Sequence, residues 1–359
     1  MTADLARQRL DTIRDLAADS GADAAAITRL TDVRWAVGFT GSNGLLIVTP
    51  TEAHFVTDGR YDAQARAEVL AAEIHVPGYD LWRHVAESGW VGDRRVAFQS
   101  DHLTVAQRER LGSTLPGAEW IGVREMLVEA VAAKTAEEVG RVRYAQEQTC
   151  AILESVLPLL QPDVSERDIA TELVARHLRA GAERMAFDPI VGSGPNGALP
   201  HARAGERTLQ TGDLVVIDVG GMFDGYASDL TRTVAIGEPG DAQREAYAAV
   251  HRAKAAAIAG VRAGVTGTYL DALARDVLRS AGLADAFSHS LGHGVGLDVH
   301  EWPRLSQAVE HTLPEGATVT IEPGVYLPGR FGIRIEDVVA VTASGADNLT
   351  PMPDDLLVL

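Results

Sequence analysis

Residues 214–221 read LVVIDVGG, residues 318–326 read TVTIEPGVY, and residues 333–341 read IRIEDVVAV. In each stretch one acid follows an isoleucine inside a run of β-branched residues: Asp218, Glu322 and Glu336. Such runs are the mark of buried strands. A carboxylate buried there without a partner is costly, or it takes up a proton. One such acid could be a strand-end accident, but three in one region call for a shared counter-charge. Arg203, Arg232, Arg330 and Arg334 lie near enough in sequence to supply it. Divalent metal is the other answer, because a carboxylate cluster with one imidazole suits Mn²⁺, Co²⁺ or Zn²⁺.

Working outward, Asp229 follows Asp218 across GGMFDGYAS, a loop whose Gly220, Gly221 and Gly225 are turn residues. The two aspartates are expected to face one another across a hairpin, with Asp224 solvated at its tip. The imidazole is expected from SHSLGHGVGLDVHEWPR, where His289, His293 and His300 crowd glycines that permit close backbone approach. His201, in NGALPHARAG, is a fourth candidate. Four carboxylates and one neutral histidine carry about −4, which two divalent ions would offset; such a pair can activate a shared water and polarise a carbonyl. A serine mechanism fits worse, since no G-x-S-x-G elbow occurs. Cys150, the single cysteine, lies in a helical pattern and excludes both an internal disulfide and a cysteine zinc site.

Around these segments the pattern is mixed. Before residue 130, strands are predicted at 24–28, 44–50, 54–58 and 95–100, and helices near 60–70, 79–88 and 104–113. The N-terminus reads as an amphipathic helix with Leu5, Ile13 and Leu16 on one face. GFTGSNGLL precedes a strand and so signals a turn, not a phosphate cradle. A helix is predicted at 135–157, and Ser165 with Asp168 opens another to about 180. Two more follow at 241–262 and 267–281. Strands and helices do not alternate strictly after residue 186, so an α+β class is expected.

The 359 residues suggest two domains. A net charge of −18 repels phosphate backbones and anionic membranes, so no nucleic-acid or membrane partner is expected. No apolar run reaches the length of a membrane span. The N-terminus lacks the pattern of an export signal, which points to the cytoplasm.

The order IDVGG…SDLTRT, HSLGHGVGLDVHE, TIEPGVY and GIRIED resembles the metallopeptidases of the pita-bread fold, and among them the Xaa-Pro peptidases, aminopeptidase P and prolidase. AFDPIVGSGPNGALPH resembles the family's strand leading to a histidine. TDVRWAVGFTGSNGLLIVTP and HFVTDGRYDAQA resemble its N-terminal domain. The resemblance implies an α/β creatinase-like domain at 1–130 and a pita-bread catalytic domain at 131–359. It implies two divalent ions, Mn²⁺ foremost with Co²⁺ or Zn²⁺ as substitutes, on Asp218, Asp229, His293, Glu322 and Glu336. Glu322 would accept the proton of the attacking water. His201, His289 and His300 would bind substrate and stabilise or protonate around the tetrahedral intermediate. Arg334 would orient the ligands, and Tyr326 would line the site. The substrate would be a proline-containing peptide, and the assembly a homo-oligomer, a dimer.

Two departures stand out. Phe331 occupies a position more often glycine in the family and is expected to alter the rim. HEWPR is closest to the small prolidases, and Arg304 could meet the carboxylate of a dipeptide or be a solvated loop residue. Dipeptide cleavage is thus favoured over the aminopeptidase P reading. Methionine aminopeptidase shares the fold and ligands but lacks the preceding domain. Creatine-hydrolysing relatives do not use the metals. A non-catalytic peptide-binding module would have lost the ligands that are intact here.

Overall fold

Thr2 caps the first helix, α1 (Ala3–Asp19), in this computed structural model, whose described residues are 1–78 and 80–359. The buried stripe of α1 is Ala6, Leu10, Ile13 and Ala17. Leu5 and Leu16, expected on that face, lie at its edges and are half-buried, because 3.6-residue periodicity centres the stripe on positions 6, 10, 13 and 17. Six strands follow: β1 (Ala24–Ile27), β2 (Leu45–Val48), β3 (Ala53–Val56), β4 (Glu73–His75), β5 (Arg95–Gln99) and β6 (Glu119–Val123). They form one mixed sheet in the order β4-β3-β2-β1-β5-β6, flanked by α2 (Leu30–Val37), α3 (Asp62–Glu68), α4 (Leu81–Ser88) and α5 (Val105–Thr114). The helix expected from residue 79 begins at Leu81 behind its Asp80 cap; Tyr79 lies outside the described residues. The edge strands β4 and β6 escaped the sequence reading because neither contains a fully buried residue. These elements make up a unit spanning Met1–Val131.

The second unit spans Ala132–Leu359. After the short α6 (Val128–Ala132), capping boxes at Thr135/Glu138 and Ser165/Asp168 open α7 (Ala136–Val156) and α8 (Glu166–Arg179). Strands β7 (Arg184–Met185), β8 (Ile190–Ser193), β9 (Leu214–Val219), β10 (Gly221–Phe223), β11 (Tyr226–Ala227) and β12 (Leu230–Ala235) come next. The plan then repeats. Helices α9 (Asp241–Gly260) and α10 (Gly267–Ser280) precede β13 (Gly292–Gly294), β14 (Glu301–Leu305), β15 (Thr318–Ile321), β16 (Gly324–Leu327), β17 (Phe331–Arg334), β18 (Asp337–Val341) and β19 (Ala346–Asn348). HEWPR is therefore largely strand, not loop. Among the described residues no helix is long and apolar enough to cross a membrane.

Each helix pair covers its own apolar core. Ile152, Leu153, Ile169 and Leu173 of α7 and α8 pack on Val215, Ile217 and Val219. Val250, Ala253, Leu270 and Leu278 of α9 and α10 share a core with Val319, Ile321, Ile333, Ile335 and Val339. These core residues of β9, β15, β17 and β18 are odd-numbered, so their even-numbered neighbours point to the opposite face. That face receives Asp218, Thr320, Arg334 and Glu336. The acid after each isoleucine is thus turned away from the core that buries the isoleucine. Phe331, expected at the rim, is buried in the α9/α10 core because it begins the same apolar alternation.

The glycines near His293 do permit close approach. A methyl on Gly292 would lie 2.1 Å from the Thr320 carbonyl oxygen, and one on Gly294 2.3 Å from that of Trp302. Gly292→Ala must therefore part β13 from β15. It is expected to destabilise the protein by about 2 kcal/mol or more, read as a lower urea midpoint.

Candidate active site

Asp218 lies on the central strand of the β12-β9-β8 sheet, in register with Thr231 and Ile190. Only this acid is inside a ladder. Glu322 follows the end of β15, where Pro323 removes the next donor, and Glu336 occupies the gap where the chain leaves β16 to pair with β15. Both are nonetheless shielded, Glu336 almost fully. Asp229 falls in the turn between β11 and β12, near Asp218 through the β9–β12 pairing, as the hairpin expectation had it. Asp224 is exposed at the tip of the connection, 3.1 Å from Arg141.

Backbone and side-chain bonds fix each group. Gln146 of α7, fully buried, accepts from Asp229 N–H at 3.1 Å and donates to its carbonyl at 2.7 Å. Thr231 Oγ1 donates to Glu336 Oε2 at 2.8 Å and accepts from Arg334 Nε at 3.1 Å. His293 Nδ1 lies 3.0 Å from the Gly294 carbonyl, which leaves Nε2 facing Glu322 at 3.3 Å and Asp229 at 3.6 Å. Arg334 donates to Asp218 Oδ2 at 2.6 Å and to the Tyr326 hydroxyl at 2.7 Å. Tyr326 in turn lies 2.9 Å from His289 Nε2, while His289 Nδ1 lies 2.8 Å from the Ser290 carbonyl.

Of the arginines offered as counter-charges, only Arg334 bonds one of these carboxylates; Arg232 reaches Glu336 through its backbone carbonyl alone. Arg232 is taken by Asp337 at 2.9 Å and by backbone carbonyls, Arg330 is exposed beside the Phe331 ring, and Arg203 lines the cavity. In direct contact these four carboxylates therefore have one guanidinium, that of Arg334, and one imidazole, that of His293. Burial, then neighbouring carboxylates, push Asp229 and Glu336 well above the usual carboxylate range. Burial raises Asp218 too, against the pull of Arg334. Burial would also raise Glu322, but the hydrogen bond and charge of His293 outweigh it and bring it to about 2. Shielding and then His293 hold His300 below the usual imidazole value.

This donor set fits divalent ions. Ligand atoms of Asp229, His293 and Glu336 lie within 4.8 Å of one another. Asp218 Oδ1 is buried without a hydrogen bond. His293 presents a nitrogen whose tautomer its other nitrogen sets. All five expected ligands line one cavity of about 780 Å³, together with His201, His289, His300, Arg304 and Arg334. Tyr326, expected to line the site, does not. Its ring is buried behind the cavity and its hydroxyl is engaged by Arg334 and His289. Arg304 is on β14 in direct register with His293, so it is no loop residue. Cys150 is buried in α7 with its thiol pushed up to about 12 by burial, which leaves no thiolate nucleophile here.

Gln146, Thr231 and Asp188, an acid that also lines the cavity, were missed in the sequence. Gln146 was findable, as an uncharged polar residue on the apolar stripe of α7 with Val142, Thr149 and Leu153.

Residues 140–343 match metallopeptidase family M24, and residues 9–131 match the creatinase/prolidase N-terminal domain. The uncharacterized peptidase YqhT of Bacillus subtilis is 37% identical over 98% of this chain and 100% of its own. An Xaa-Pro dipeptidase of Pyrococcus furiosus is 42% identical over 62% of this chain and 64% of its own. Among solved structures, an Xaa-Pro dipeptidase from Bacillus anthracis superposes with a TM-score of 0.96 at 35% identity, covering 99% of this chain and 100% of that one. An X-Pro aminopeptidase from Thermotoga maritima gives 0.89 at 33% identity, covering 94% and 98%.

Raised carboxyl values mean that the metal-free folded state keeps protons the unfolded chain releases. The stability these carboxyls contribute is therefore lost as pH rises above the ordinary carboxylate range, while the imidazoles held low, His289 and His300, act in the opposite sense. Relative to Asp229→Asn, chelator-stripped wild type is expected to lose melting temperature between pH 5.5 and pH 7.5, since those imidazoles are common to both. Added Mn²⁺ should raise the melting temperature more at pH 7.5 than at pH 5.5.

Proposed function

Because this chain belongs to metallopeptidase family M24 and to its Xaa-Pro peptidases, we propose that its cavity hydrolyses the bond before proline in Xaa-Pro dipeptides. The observation that carries this reading is Arg304. It stands opposite His293 across β13 and β14, so the two side chains share a face, and it lines the cavity of the acids. Carboxylates and a guanidinium in one cavity suit a short zwitterion. The free amine faces the acids, and the carboxylate after proline faces Arg304. A longer peptide carries no carboxylate at that point.

In this reading Asp218, Asp229, His293, Glu322 and Glu336 hold two divalent ions, Mn²⁺ first and Co²⁺ or Zn²⁺ as substitutes. Bound ions of this kind activate water and polarise the scissile carbonyl. Glu322, held ionised, accepts the proton of the attacking water. His300, held neutral, relays a proton to the leaving imide nitrogen, and His201 binds near the carbonyl. Arg334 keeps Asp218 in place. Tyr326 donates to His289 Nε2 and so sets its tautomer. Proline has a fixed φ and no amide N–H, so the scissile bond offers no donor that the cavity must satisfy.

The test is hydrolysis of Ala-Pro and Ala-Pro-Ala by protein stripped and reloaded with Mn²⁺. Ala-Pro is expected to be cut, and Arg304→Ala to raise its KM about tenfold or more with kcat little changed, the loss of one charge-assisted contact. Preferred cleavage of Ala-Pro-Ala, unaffected by Arg304→Ala, would make the chain an aminopeptidase P instead. No cleavage of either with Mn²⁺, Co²⁺ or Zn²⁺ would leave a peptide-binding module.

A further inference from the structure

A second group of ligand-type side chains belongs wholly to the Met1–Val131 unit. The sequence carries it as two copies of one spacing, Glu52-Ala53-His54 and Glu73-Ile74-His75. Strands β3 and β4 run parallel with His54 opposite Glu73 and Val56 opposite His75. Glu73 and His75, two residues apart, share one face of β4, and His54 stands on the same face of β3.

The resulting geometry is close to equilateral. His54 Nδ1 lies 3.3 Å from His75 Nε2 and 3.6 Å from Glu73 Oε2, and His75 Nε2 lies 3.8 Å from Glu73 Oε2. A triangle with these sides has its circumcentre about 2.1 Å from each corner, the length of a Zn–N or Zn–O bond. Ligands on a tetrahedral ion at that bond length stand about 3.4 Å apart, against about 3.0 Å for neighbours on an octahedral one. The other nitrogen of His54, Nε2, is buried, makes no hydrogen bond, and faces the Glu52 carboxylate at 3.4 Å. The exposed Glu52 carboxylate needs only a small reorientation to accept from this nitrogen, the outer hydrogen bond that sets the tautomer of a ligating imidazole. Trp90 stacks on His54 with ring centroids 4.0 Å apart and planes within 3°, and tilts against His75 at 4.5 Å. It covers the imidazoles on one side, while the exposed Glu73 leaves the other side open to a water as fourth ligand.

We propose that His54, Glu73 and His75 bind a Zn²⁺ ion that clips the edge strand β4 to β3. A bare hydrogen bond between the two imidazoles accounts for the 3.3 Å contact. It does not account for a carboxylate oxygen nearly equidistant from both, nor for a second carboxylate behind His54.

The test uses the full chain, stripped with chelator and dialysed against buffered Zn²⁺ at about micromolar free ion. Metal content is then read by mass spectrometry for wild type, Glu73→Gln and His54→Asn. All three keep the cavity ligands unchanged, so any difference reports this site alone, whatever the cavity binds. Wild type is expected to hold one Zn²⁺ more per chain than either variant, and to show a larger Zn²⁺-dependent rise in melting temperature than either. Glu73 is exposed, so Glu73→Gln should fold normally and decides the matter if His54→Asn does not. Equal Zn²⁺ content in wild type and Glu73→Gln overturns the proposal.

Discussion

Buried negative charge in excess of its protein counter-charge is the constraint around which the second unit is organised. Four carboxylates cluster in one cavity, and only the Arg334 guanidinium and the His293 imidazole are in contact with them. Most groups nearby serve to hold these acids in place. Gln146 grips the backbone of Asp229 from α7 by both its donor and its acceptor. Thr231 links Glu336 to Arg334 through one hydroxyl. Arg334 passes from Asp218 to Tyr326, and Tyr326 to His289. A core of similar volume without these charges would be more stable, so the cluster is a stability sacrifice that makes sense only if a cation completes it.

The acids were legible because they broke a pattern. A carboxylate after isoleucine in a β-branched run is improbable in an ordinary strand, and Asp218, Glu322 and Glu336 each announce themselves that way. Less legible was the direction each one faces. The runs look buried on both sides, and they are, but one side packs under a helix pair and the other closes on the cavity. Only the sorting of the odd positions of these runs into the helix-covered cores and of the even-numbered acids onto the cavity separates the two faces. Arg304 and Phe331 show the same limit. Both follow glycine- or proline-rich text that reads as loop, yet both lie on strands, Phe331 opposite Leu327 across a tight hairpin and Arg304 opposite His293.

Residues that act through the backbone were harder still. Gln146 lies 83 residues from Asp229, and nothing local marks it except its place on an apolar stripe. The His54, Glu73 and His75 group escaped for a related reason. Its parts belong to two short strands whose parallel pairing no local signal encodes, and β4 is too short and too exposed to read as a strand.

The two helix-pair-plus-strands halves of the second unit have a consequence for biogenesis. Asp218 and Asp229 belong to the first half; His293, Glu322, Arg334 and Glu336 belong to the second. Arg334 bonds an aspartate 116 residues upstream, and Glu336 a threonine 105 residues upstream. On a growing nascent chain the first half emerges with its acids uncompensated, and the centre cannot close until Glu336 has been made. Its assembly is a high-contact-order event, which must close loops of more than 100 residues before its contacts form. A chain truncated within the second half would be left with unneutralised acids among its apolar strands, a state suited to recognition by chaperones and proteases.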